Sequence, residues 1–139
     1  MAEPSRTDVA RAVFEDAWNR RDFTTTAAAL QSFRLHIGAQ TRESDAAELR
    51  DFVDRWHAGF PDFRFELHAV VASGDHVAVR ATLRGTHEGG FQGRAPTGRT
   101  IAVPHMFFLR FDGERIAEVW ELLDADTLRE QLDAEPGDG

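Results

Sequence analysis

The sequence predicts an α+β domain, because two hydrophobic periodicities occur along it in a fixed order. Apolar residues recur at helical spacing as far as Phe60, and period-two alternation takes over from Phe63 to Leu123. Turn dipeptides separate the alternating stretches, so the strands are expected to pair antiparallel with the helices on one sheet face.

Thr7 to Arg20 reads as an amphipathic helix, with Val9, Val13, Ala17, Phe14 and Trp18 on one side and Asp8, Glu15, Asp16 and Arg20 on the other. Thr24 to Gln31 is expected as a short second helix through Ala27, Ala28 and Leu30. Phe33 to Ile37 alternates and stops at Gly38, as a short strand does. The third helix has a defined start: Asp45 as N-cap with Glu48 in capping-box position. Leu49, Phe52, Val53, Trp56 and Phe60 form its apolar face, and Gly59 and Pro61 end it.

Phe63 to Ala72 is the next strand, with Phe63, Phe65, Leu67, Ala69 and Val71 on one face. Ser73-Gly74-Asp75 turns it into His76 to Thr86. Gly85 to Arg99 is a long Gly-rich loop, Thr100 to Phe111 an apolar strand, Asp112-Gly113 a hairpin turn and Arg115 to Leu123 the last strand. Ala125 to Leu132 is expected to add one or two closing helical turns. One domain over 1–132 and an acidic, flexible tail over 133–139 complete the reading.

Composition bounds the function. At 139 residues, 42% apolar with 11 Phe and 3 Trp, the chain has material for a core without staples. It has no Cys, which removes disulfides, thiolate ligands and thiol nucleophiles. With 24 acidic against 16 basic residues the net charge is −8, a field that disfavours nucleic acid and anionic membrane as partners. No apolar stretch approaches a membrane span and Met1 to Val9 is polar, so the protein is expected to be cytoplasmic. Phosphate-loop, dinucleotide, zincin and nucleophile-elbow motifs do not occur. The six His have no Cys and no helical His pair to build a metal site, so neither metal nor cofactor is expected.

Glu121 interrupts an apolar face of the last strand that also carries Ala117, Val119 and Leu123. A carboxylate drawn out of water is penalised in its charged form, which is how acid–base groups are tuned; equally, Glu121 can reach solvent at the strand end. His105 is its natural partner, subject to the hairpin register. A two-residue Asp112-Gly113 turn sets Pro104 opposite Glu121 and turns His105 away, whereas one more loop residue puts His105 on the face of Val119 and Glu121. His36 lies in the early strand, His87 opens the Gly-rich loop, and Trp18, Trp56 and Phe60 are core residues by type that can also line a pocket. His57 and His68 fall at positions expected to be solvated, and Trp120 on the face opposite Glu121.

The order of these elements, with Phe60-Pro61-Asp62, Gly85-Thr86-His87, Pro96-Thr97-Gly98-Arg99 and Asp112-Gly113 ahead of Ile116, Glu118 and Trp120, resembles the SnoaL-like polyketide cyclases of the nuclear transport factor 2-like superfamily. The resemblance runs from Val9 to Leu132. It implies a cone-shaped, cystatin-like α+β roll: a curved antiparallel sheet wrapped around N-terminal helices, with a pocket inside for a small hydrophobic, polyketide-like ligand. It further implies a cofactor-independent intramolecular aldol cyclisation and a homodimer. The family's acid–base Asp falls on Glu121, its pocket His on Phe107, a polar pocket residue on His105 and an Asn of the early strand on His36. The resemblance therefore implies Glu121 and His105 as catalytic residues, with His36 and Phe107 against the substrate; Trp56, Trp18, Phe60 and His87, read from the residues alone, are the further candidates for substrate contact. Hydroxylation, dehydration, epoxide opening or a non-catalytic binding or dimerisation module are the competing functions on the same fold.

Overall fold

Ser5 opens the first helix by accepting from the Asp8 amide at 3.1 Å while Asp8 accepts from the Ser5 amide at 3.3 Å, a reciprocal cap. The computed structural model describes residues 5–133. Met1–Pro4 and the tail beyond Asp133 lie outside it, so the tail expected over 133–139 is described only at its first residue.

Helix α1, Arg6–Ala12, runs directly into a π-helical segment, Val13–Trp18. That wider winding carries Val13, Phe14, Ala17 and Trp18 on its buried face. At its end Asn19 donates to the Phe65 carbonyl at 3.0 Å and accepts from the Phe65 amide at 2.7 Å, tying the helix to a strand as a ladder residue would.

The helix expected over Thr24–Gln31 is absent. The segment is a string of turns in which Ala27 and Leu30 reach back to Phe23 and Thr26. The Ala29 carbonyl is taken by the Ile116 amide at 2.9 Å, which ties the end of the segment to the sheet.

Six strands follow: β1 Phe33–Ile37, β2 Gln40–Ser44, β3 Arg64–Ser73, β4 His76–Thr86, β5 Thr100–Asp112 and β6 Arg115–Leu123. They form one curved, open sheet in the order β2-β1-β6-β5-β4-β3. All neighbours are antiparallel except β1 and β6, which are parallel, so the sheet is mixed where an antiparallel one was expected. β2 carries no apolar alternation because it is an edge strand, exposed along Gln40–Glu43.

Helix α2, Ala46–Gly59, starts as expected, with Asp45 accepting from the Glu48 amide at 2.9 Å. The Glu48 carboxylate does not close the box; it pairs with Arg42 at 2.7 Å. His57, expected in solvent, is buried and bonds the Trp18 carbonyl through Nε2 at 2.7 Å, joining α2 to the end of the π-helical segment. Helix α3, Ala125–Asp133, packs on β5 through Gln131, whose side-chain amide bonds both backbone groups of Ala102.

Two bulges set which side chains face the helices. In β3 the register shifts between Leu67 and Ala69, so His68 is the extra residue and the parity reverses after it. Val71, expected inward, is exposed, and Val70 packs toward the core instead. In β6, Phe111 pairs with Ile116 but Arg110 with Glu118, leaving Ala117 unpaired. Ile116, expected on the face of Glu118 and Trp120, is therefore fully buried on the side of Val119 and Glu121. No helix among the described residues is long and apolar enough to cross a membrane.

A buried Glu121–His105 pair beside an apolar cavity

The β5–β6 turn settles the partner of Glu121. Asp112 pairs with Arg115, so Gly113 and Glu114 form the turn, with Gly113 at φ +63°. The bulge at Ala117 then adds one residue, and Phe107 comes to lie opposite Glu121, with His105 opposite Leu123. Neither simple loop length gives this register. Its parity nonetheless places His105, Phe107 and Glu121 on one face, the concave side.

His105 Nε2 lies 3.0 Å from Glu121 Oε2. The imidazole is 1% exposed and Glu121 8%. Phe107 stacks parallel on the imidazole at 5.0 Å, and Phe65 meets it edge-on at the same distance. In such surroundings a hydrogen bond between two ionisable groups is poorly screened and holds both side chains firmly. Among the described residues His105 Nδ1 has no hydrogen-bond partner, so Glu121 and the two packed rings orient the imidazole.

Glu121 lines a hollow enclosed by Val13, Phe14, Trp18, Leu35, Phe107 and Val119. Arg42, Ser44 and Glu48 add polar groups on its β2 and α2 side. His105 is not on this wall; it stands behind the carboxylate. The hollow holds about 40 Å³, room for roughly two or three waters. A second space of about 910 Å³ lies between α2, the loop after β4 and α3, within the roughly 300–1,000 Å³ usual for ligand pockets. Ile37 and Phe52 line both spaces and so form the boundary between them.

The other residues singled out in the sequence are divided among these places. Phe107 and Trp18 line the inner hollow and Trp56 the larger groove. Phe60 is fully buried, stacked on His87 at 5.2 Å. His87 is equally buried; its Nδ1 accepts from the Thr97 amide at 3.3 Å and lies 3.0 Å from Thr97 Oγ1, closing the base of the Gly-rich loop. It lines neither the hollow nor the groove.

His36 stands on the convex side, because Leu35 and Ile37 take the concave positions of β1. Its ring stacks on Trp120 at 5.0 Å, and its Nε2 lies 2.5 Å from Glu118, which Arg110 also reaches at 3.2 Å. The His36 hydrogen bond, opposed by partial withdrawal from water and aided by Arg110, holds the Glu118 carboxyl below its ordinary value.

Sequence reasoning missed Arg42 and Ser44 on the hollow, since β2 carried no signal, Glu48, which was read only as a capping residue of α2, and the groove, since it is assembled from three distant segments. The loop that walls the groove turns back at Gln92 and Gly93, both with positive φ, and inserts Phe91 against Trp56 at 4.5 Å. Among the described residues no three of His, Asp and Glu converge as metal ligands.

Comparison with known proteins places this architecture. The family model for SnoaL-like polyketide cyclases matches residues 8–132. A candidate SnoaL-like polyketide cyclase from Jannaschia sp. CCS1 is 21% identical, with a TM-score of 0.80 over 98% of each chain. IdmH, a candidate polyketide cyclase from Streptomyces antibioticus, is 28% identical at a TM-score of 0.77, covering 92% of this chain and 99% of that one. AclR, a candidate hydroxylase from Streptomyces galilaeus, is 24% identical at a TM-score of 0.78, over 96% of this chain and 85% of that one. No curated protein matches the chain. With the family model spanning nearly its whole length, the chain belongs to the SnoaL-like polyketide cyclase family.

Proposed function

We propose that the chain is an acid–base enzyme acting without a cofactor on an aromatic, polyketide-like molecule, by aldol-type ring closure. The observation that carries this is the Glu121–His105 pair, buried at 3.0 Å against an apolar hollow. A buried carboxylate facing apolar space can take a proton from carbon. His105, hydrogen-bonded behind it, holds the carboxylate in place and steadies its charge as the proton arrives and leaves. In the cyclisation a C–H bond breaks with its proton passing to Glu121. The carbanion then forms the new C–C bond at a carbonyl of the same molecule, and the proton returns to the resulting alkoxide.

The inner hollow is too small for a ring system, so the body of the ligand occupies the groove and its reacting end enters past Phe52 and Ile37. In D₂O an aromatic β-keto ester is expected to gain deuterium at its acidic carbon faster with the protein than without it, read by NMR, with the excess rate lost in Glu121→Gln and no oxygen consumed. Oxygen uptake with a hydroxylated product would move the chemistry to hydroxylation.

The family resemblance also points to a homodimer, and the convex face supports it. Met106 and Leu122, 56% and 63% exposed, pair across β5 and β6 beside Phe108 and Trp120. Such an apolar cluster suits a second copy. Light scattering is expected to return twice the chain mass; a single-chain mass at all concentrations contradicts this.

A further inference from the structure

The groove beside the hollow has a charge pattern at odds with the rest of the chain. The protein carries eight more acidic than basic residues, yet the groove lining holds Arg55, Arg94 and Arg129 and no Asp or Glu. Two of those charges are already answered. Arg94 pairs with Asp133, and Arg129 pairs with Asp126. Arg55 pairs with no carboxylate among the described residues; its guanidinium lies over the Phe52 ring, 5.3 Å from the centroid. One uncompensated cation thus stands in a wall otherwise built largely of Trp56, Phe91, Leu123, Leu128 and Leu132.

We propose that the groove binds a monoanionic aromatic carboxylate, with Arg55 taking the carboxylate and the apolar wall its rings. The single free charge argues for one negative charge rather than two. A planar guanidinium matches a carboxylate with two parallel hydrogen bonds, which a neutral ester cannot supply. Phe52 links this to the hollow, because its ring carries Arg55 on the groove side and forms the boundary on the other. An anion that draws Arg55 off the ring frees Phe52 to turn, and the far end of the ligand then reaches Glu121. That last link rests on Glu121 being the acid–base group; the carboxylate site does not.

The test uses anthracene-2-carboxylate and its methyl ester, titrated at low salt and followed by quenching of tryptophan fluorescence. The acid is expected to bind the native protein roughly five- to tenfold more tightly than the ester. Arg55→Gln is expected to erase that preference with the melting temperature unchanged, since Arg55 is exposed. Arg55→Lys retains part of it, and Glu121→Gln retains all of it. Equal binding of acid and ester to the native protein, or an intact preference in Arg55→Gln, overturns the proposal. If the preference depends on Arg55 but Glu121→Gln still turns substrate over, the acid–base reading fails and the carboxylate site stands.

Discussion

Replacing Glu121 by glutamine is expected to lower turnover by roughly two to four powers of ten, the usual contribution of a positioned acid–base group. Glutamine has the same length and can still accept a hydrogen bond from His105 through its amide oxygen, but it cannot take up a proton. The fold has no reason to suffer. Glu121 is 8% exposed and its hydrogen-bonded partner is His105, so an isostere of the same length keeps that hydrogen bond and leaves the neighbouring rings packed. The melting temperature is expected to stay within a few degrees of the native value or to rise. Loss of turnover with loss of fold would instead mark Glu121 as a structural residue.

The second large effect concerns Gly89, and it is structural. A Cβ at this position would lie 1.9 Å from the Ala58 carbonyl oxygen and 3.0 Å from its carbon. Both are backbone atoms of α2, so no side chain can swing aside to relieve the clash. The Glu88 and Gly89 amides donate to the Gly59 carbonyl at 3.1 and 3.0 Å, and these bonds fasten the loop to the helix end. Overpacking costs about 1–3 kcal/mol, and the two hydrogen bonds add about 1 kcal/mol each. Gly89→Ala is therefore expected to lower the melting temperature by roughly 10 °C and to loosen Phe91 from Trp56. Thermal denaturation followed by tryptophan fluorescence reads both. An unchanged melting temperature would mean that the loop does not lie on α2 as described.

The sequence made some parts of this legible and hid others for identifiable reasons. His76–Thr86 and Arg115–Leu123 were delimited correctly because alternation and turn residues both mark their ends. β2 was invisible because an exposed edge strand needs no apolar face, and Gln40–Glu43 has none. The turns at Thr24–Leu30 looked helical because Ala27, Ala28 and Leu30 suit a helix, and isolated helical-type bonds from Ala27 to Phe23 and from Leu30 to Thr26 do form there without joining into one.

The site shows the same division. Glu121 was conspicuous because a carboxylate on an apolar strand face is anomalous by itself. Its pairing with His105 could not be read locally, because a bulge at Ala117 leaves no mark in composition and yet decides the parity. Family resemblance supplied that parity, but it also drew His36 toward the pocket. There the actual sequence builds a convex-face network with Trp120 and Glu118.

The central claim, that Glu121 and His105 act on the proton as one unit, is tested most directly by a double-mutant cycle on turnover with Glu121→Gln, His105→Asn and the double variant. The expected result is that the double variant is scarcely slower than Glu121→Gln alone, because His105 has nothing to assist once the carboxylate is gone. Losses that simply multiply would show two independent groups and contradict the account.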